Sequence, residues 1–169
     1  MSILVPDTSA LVSLGIVAER DPHPLALCLD RYEVVVPTTV IQELHDIASY
    51  DDSHSRAATA VLNRTNLFES RSIDLDTEFP LDDGENAAVT LANELDASLV
   101  LCDEFNQLGL IHASLADTRL VTTPTLLSVF VRTEQLSVAD GRMLLDEIID
   151  ARSWQTNSYV KRACSGLEG

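Results

Sequence analysis

Lysine is nearly missing from this chain: Lys161 is the only one, beside ten arginines, against 27 Asp plus Glu in 169 residues, for a formal charge of -16. A balance that acidic argues against a protein that grips nucleic acid through a basic patch at ordinary salt. Aspartate alone supplies 16 of the acids. The bias reads as adaptation to a halophile's molar-salt cytoplasm, where a Debye length of ~3 Å lets surface carboxylates crowd together. Aromatic residues make up only 5%, so the core must be mostly aliphatic. The three cysteines, Cys28, Cys102 and Cys164, form no C-x-x-C and are odd in number, which argues against a disulfide framework and a structural zinc and for a reducing cytosol. The six glycines contain no G-x-G, no glycine loop precedes Lys161, and no G-x-S-x-G occurs; a dinucleotide fingerprint, a Walker A loop and a nucleophile elbow are thereby excluded. His23, His45, His54 and His112 lack zinc-ligand spacing and read as surface or packing residues. No apolar run approaches the ~20 residues of a membrane span, and the first ten residues lack a basic n-region, so a soluble cytoplasmic protein with no membrane partner is expected.

What is present is an alternation of short apolar runs and longer amphipathic ones. Residues 3–6, 33–36, 98–101 and 119–121 read as strands, with a weaker one at 67–73. Helices are expected from Thr8 or Ser9 to Val17, after a Thr39/Gln42 capping box to Ser49, over Ser53–Asn63, from Gly84 to Leu95, over Glu104–Leu115 and after Pro124. Continuous apolar strands, each followed by a helix, specify a mainly parallel sheet covered on both faces, that is, an α/β three-layer sandwich. Beyond Thr133 the pattern is purely helical, with helices near 137–151 and 156–163. The expected organisation is a core domain over residues 1–124 with a helical C-terminal extension over 125–169 packed on it. Trp154 and Tyr159 read as packing anchors of that tail rather than base-stacking platforms, because only Lys161 and Arg162 accompany them.

In an open parallel sheet the site lies outside the carboxyl ends of the strands. Asp7 and Asp103 each follow a strand too apolar to lie anywhere but inside; the plainer alternative for either is a helix cap. Glu43, about one turn into its helix, and Glu85, one residue past Gly84, fall in early helical turns on the same side of the sheet. With 27 acids in 169 residues, any single placement is unremarkable, and the joint placement of four carries the argument. Four convergent carboxylates raise each other's pKa, and desolvation raises them further. A hard divalent cation, Mg²⁺ or Mn²⁺, resolves that conflict and suits phosphodiester hydrolysis. Glu104 reads as surface, and Asp82 and Asp83 as loop and cap residues.

The segments VPDTSALVSL, VPTTVIQEL, LDDGENAAVTLANELDASLVLCDE and LVTTP together resemble a PIN domain, the small metal-dependent nuclease fold, over roughly residues 2–124. The tail from TEQLSVADGRMLLDEI to SYVKRA resembles the helical end of one toxin-like branch of that family. By the resemblance the four family acids fall on Asp7, Glu43, Glu85 and Asp103, and Ser9 matches a small hydroxyl that supports the first acid. The chain departs from the branch at Ala87, where a second acid often stands, and in the helix after Asp103, which lacks the usual basic residues.

The resemblance implies an endoribonuclease dependent on Mg²⁺ or Mn²⁺, with RNA as substrate. The leading role it implies is the toxin of a toxin–antitoxin pair, with an antitoxin protein as partner; RNA processing in its place, a homodimer, and the use of one metal or two are left open. With so few cations in the chain, contact with RNA is expected to come from the metal, from hydrogen bonds and from the few arginines. The alternative reading is a non-catalytic PIN-like RNA- or protein-binding module. A phosphatase on a parallel sheet lacks its D-x-D pair after the first strand.

Overall fold

Isoleucine, leucine and valine fill runs only three to five residues long, too short for helices, and in the computed structural model, which describes residues 1–167, these runs become four of the five strands, the fifth being an exposed Glu-Ser-Arg edge. Strand β1 (Ile3–Pro6) leads into α1 (Thr8–Ile16), and α2 (Pro24–Arg31) precedes β2 (Glu33–Pro37). Next come α3 (Thr38–Ala48), α4 (Ser53–Leu62), a single 3₁₀ turn and β3 (Glu69–Arg71). The second half runs α5 (Asp83–Leu95), β4 (Leu99–Leu101), α6 (Leu108–Ser114), β5 (Arg119–Val121), α7 (Thr123–Arg132), α8 (Val138–Arg152) and α9 (Ser158–Leu167).

All four strand pairings are parallel and the order is β3-β2-β1-β4-β5. Alternate side chains serve the two faces, as the pleat requires. Leu4, Val34, Val36, Leu101 and Val121 join one apolar cluster with α1, α3, α4 and the tail helices. Val5, Val35 and Val100 join a second one with Ala88, Leu91 and Ala92 of α5. The three-layer α/β sandwich expected from the sequence is therefore present. The tail contributes directly to the first cluster through Phe130, Leu144, Leu145, Ile148 and Trp154. No helix among the described residues is long and apolar enough to cross a membrane.

Three local expectations are corrected. Helix α2 was not expected; His23 caps it through Nδ1 and Pro24 occupies its first turn, where a missing N–H costs nothing. No Thr39/Gln42 capping box forms, because β2 passes straight into α3 at Pro37–Thr38 and Thr39 lies inside the helix. Helix α6 starts at Leu108 rather than Glu104. Residues 104–107 are instead held as turns, with the Phe105 N–H on the Asp103 carbonyl and the Gln107 N–H on that of Glu104.

Candidate functional site

The β1–β4 pairing decides the geometry. Pro6 lies opposite Leu101, and the Asp7 N–H continues the ladder to the Leu101 carbonyl at 2.9 Å. Asp7 and Asp103 therefore leave adjacent parallel strands at the same end of the sheet. Asp7 is also the N-cap of α1, with Oδ1 accepting from the Ala10 N–H at 3.0 Å; the cap is Asp7 itself and not Thr8 or Ser9. Ser9 links the two acids: its hydroxyl donates to Asp7 Oδ1 at 2.8 Å and accepts the Asp103 N–H at 3.0 Å. The Cys102 thiol donates to Asp7 Oδ2 at 3.0 Å.

Asp103 is held from behind. Its Oδ1 accepts the Thr123 N–H at 2.7 Å and its Oδ2 the Thr123 hydroxyl at 2.6 Å, at the start of α7. Glu43 on α3 receives the Thr8 hydroxyl. A Cβ on Gly84 would collide with the Glu43 carboxylate, so the glycine opening α5 is what lets that acid approach. Glu85 and Asp82 form a reciprocal capping box: Asp82 Oδ1 accepts the Glu85 N–H at 2.8 Å and Glu85 Oε2 the Asp82 N–H at 3.2 Å.

A cleft of about 440 Å³ opens at this end of the sheet, and Asp7, Ser9, Glu43 and Glu85 line it. Asp103 does not line it; it lies 2% exposed. Glu104, read from the sequence as surface, does line the cleft, as do Asp46, Asp82, His54 and Arg152. His54 and Arg152 are brought in by tertiary contacts: His54 Nε2 lies 3.3 Å from the Ala151 carbonyl, and Arg152 closes α8. Neither has a local sequence signal, since each meets the cleft only when α4 and α8 assemble around α1.

Burial dominates the electrostatics. It pushes Asp7 up to about 7 from 3.8, with the Ala10 N–H, Cys102 and Ser9 opposing and Asp103 adding repulsion. Burial likewise raises Asp103, against the hydrogen bonds of Thr123 and Ser13 and the charge of Arg152. Glu85 rises to about 7 through desolvation and then the charge of Asp82, with a smaller push from Glu104. Desolvation raises Glu43 too, and the Thr8 hydrogen bond resists it. Desolvation lowers Arg152, while Asp103, Glu104 and Asp7 hold it charged.

Acids so raised favour a neutralising partner, and the donor set is carboxylate oxygen, which suits a hard divalent cation. No three His, Cys, Asp or Glu side chains among the described residues close on a common point as a ready-made cage. The arrangement fits an ion of the Mg²⁺ type, which keeps several waters and needs only one or two carboxylates directly. Asp7 and Glu43, which line the cleft, are the residues that could hold one.

No curated protein sequence matches this chain at a significant level. Among solved structures it is similar to VapBC2 from Rickettsia felis, crystallised bound to a DNA fragment from its promoter, with 12% identity and a TM-score of 0.51. The match covers 71% of this chain and 98% of the other, and at that identity it shows a shared fold. A family model described as a PIN domain matches residues 3–168, nearly the whole length and the helical tail with it. The chain belongs to the PIN-domain family.

Proposed function

We propose that this protein is a metal-dependent endoribonuclease that hydrolyses RNA phosphodiester bonds and serves as the toxin of a toxin–antitoxin pair. The observation that carries the reading is the cleft at the strand exits, which Asp7, Glu43 and Glu85 all line and where burial raises each above its ordinary pKa. Membership of the PIN family supports a nuclease, and the similarity to VapBC2 supports an antitoxin partner.

Asp7, Glu43, Glu85 and Asp103 form the proposed metal and catalytic set. A bound Mg²⁺ or Mn²⁺ would supply Lewis-acid polarisation of a phosphate oxygen and activation of water. The chain supplies the rest. Ser9 fixes the Asp7 rotamer and ties it to the backbone of Asp103. Thr8 holds Glu43 toward the cleft. Asp103 retains acceptor capacity beyond what Thr123 and Ser13 occupy, so it keeps its place behind Asp7 as a ligand or as the charge that orients one. Arg152 brings a guanidinium to the cleft, in reach of the same acids that keep it charged, where it can hold a phosphate during the reaction.

The test is cleavage of structured and unstructured RNA by purified protein with Mg²⁺ or Mn²⁺ at low and molar KCl. Wild type should cut, while Asp7→Asn and Asp103→Asn should each fall at least a hundredfold with the fold intact. Wild-type protein that cuts nothing, or variants that cut at the wild-type rate, would overturn the assignment. The second reading, a non-catalytic binding module, draws on the fact that each of the four acids already has a structural partner: Ala10, Thr8, Asp82 and Thr123 respectively. Calorimetric titration with Mn²⁺ separates the two, because a pure binding module need show no saturable site that disappears in Asp7→Asn.

A further inference from the structure

A second groove, about 550 Å³, lies between β5, α6, α7 and α9, away from the acidic cleft. Four elements each bring one basic side chain to it: Arg119 from β5, His112 from α6, Arg132 from the end of α7 and Arg162 from α9. Among the described residues no Asp or Glu lines it. In a chain of charge -16 with ten arginines, the gathering of three in a groove with no acid among its described lining residues makes that lining basic. The three are exposed and none is in an ion pair among the described residues, unlike Arg20, Arg64 and Arg71, which pair with glutamates.

A run of ring contacts links Tyr159 in this groove to Arg152 in the cleft. Phe105 meets Trp154 edge-on at 4.9 Å and lies stacked on Tyr159 at 5.8 Å with 15° between planes. The Arg152 guanidinium sits 5.5 Å from the Trp154 ring centre at the cleft end, and that of Arg162 6.0 Å from the Tyr159 ring at the groove end. Trp154 is buried, but Tyr159 is 45% exposed and lines the groove. Spaced guanidinium groups beside an exposed ring are what a single strand requires, with phosphates on the cations and a base on the ring.

We propose that this groove binds the sugar–phosphate backbone of single-stranded RNA and leads the strand along the Phe105–Tyr159 stack toward the acidic cleft. The proposal rests on the nuclease reading for its destination but not for the binding itself. It also supplies the basic surface that the residues following Asp103 do not.

The test is fluorescence anisotropy of a labelled oligoribonucleotide of about 12 nucleotides, a span of the order that such grooves cover, with EDTA present so that the acidic cleft contributes no metal contact. The triple variant Arg119→Gln/Arg132→Gln/Arg162→Gln should bind at least tenfold more weakly. Its log–log KCl slope should be shallower by about 2, from three phosphates at roughly 0.7 each. Tyr159→Ala should weaken binding several-fold at an unchanged slope. With Mn²⁺, the triple variant should raise KM for long RNA and leave kcat unchanged. If the triple variant melts below wild type, the singles Arg119→Gln and Arg162→Gln carry the same test, each with part of the loss. Wild-type affinity in these variants overturns the proposal. So does arginine-dependent binding of an oligoglutamate peptide without binding of the oligoribonucleotide, which would make the groove a site for an acidic protein segment. Groove-dependent RNA binding by a wild type that never cleaves leaves the groove standing and removes the nuclease; cleavage with groove-independent binding does the reverse.

Discussion

At Asp7 one carboxylate caps a helix, accepts a hydroxyl and a thiol, and stands on the wall of the acidic cleft. Its burial has a consequence for stability. The group ionises near 3.8 in the unfolded chain and at about 7 when folded, so the folded state holds the proton more tightly. Without metal, its contribution to stability is fully present below pH 4, is lost as pH rises to about 7, and stays lost above it. Three units at ~1.4 kcal/mol each set an upper bound on the order of 4 kcal/mol. Asp7→Asn keeps the capping oxygen and removes the titration. In EDTA it should melt above wild type at pH 8, and the difference should shrink toward zero at pH 4. Thermal melts across that range check this, and a constant difference would show that Asp7 is not the group responsible.

At the scale of elements, the contact between α3 and the start of α5 depends on a missing side chain. Gly84 leaves room for the Glu43 carboxylate, and the nearest atoms to an added Cβ belong to the movable end of Glu43 rather than to backbone. Gly84→Ala should therefore leave stability unchanged or raise it by up to about 1 kcal/mol through helix propensity. RNA cleavage should fall at least tenfold as Glu43 is displaced. Gly15 behaves differently: a Cβ there meets the Ala57 carbonyl, so α1 and α4 could not pack as closely. The late start of α6 has a comparable origin. The Phe105 ring is committed to Trp154 and Tyr159 on the tail, and the four residues after Asp103 form turns that carry it there.

For the whole molecule, the charge of -16 sets a condition on folding. Few acids are neutralised by partners: the described residues hold three ion pairs, and all of them have an exposed partner and so contribute little. Self-repulsion is then balanced chiefly by screening. The melting temperature should fall by several degrees as KCl is lowered from molar to below a few tenths molar, and the groove of arginines should bind RNA most strongly over the same low range. A melting temperature independent of KCl would remove the high-salt reading.

Much of this is legible in the amino-acid sequence. Apolarity over residues 3–6 and 98–101 marks buried strands, and an acid following a buried strand has to emerge at its carboxyl end. Asp7 and Asp103 could thus be placed by local chain geometry alone. Glu104, His54, Arg152 and the arginine groove could not. Arginines on β5, α7 and α9 and a histidine on α6 are up to 50 residues apart and carry no shared period. Their meeting is a product of how the tail helices dock on the sheet. Local pattern governs which segments turn inward, because burial is decided side chain by side chain. Which surface residues become neighbours depends on packing between distant elements, and in so acidic a chain that packing determines where the charge changes sign.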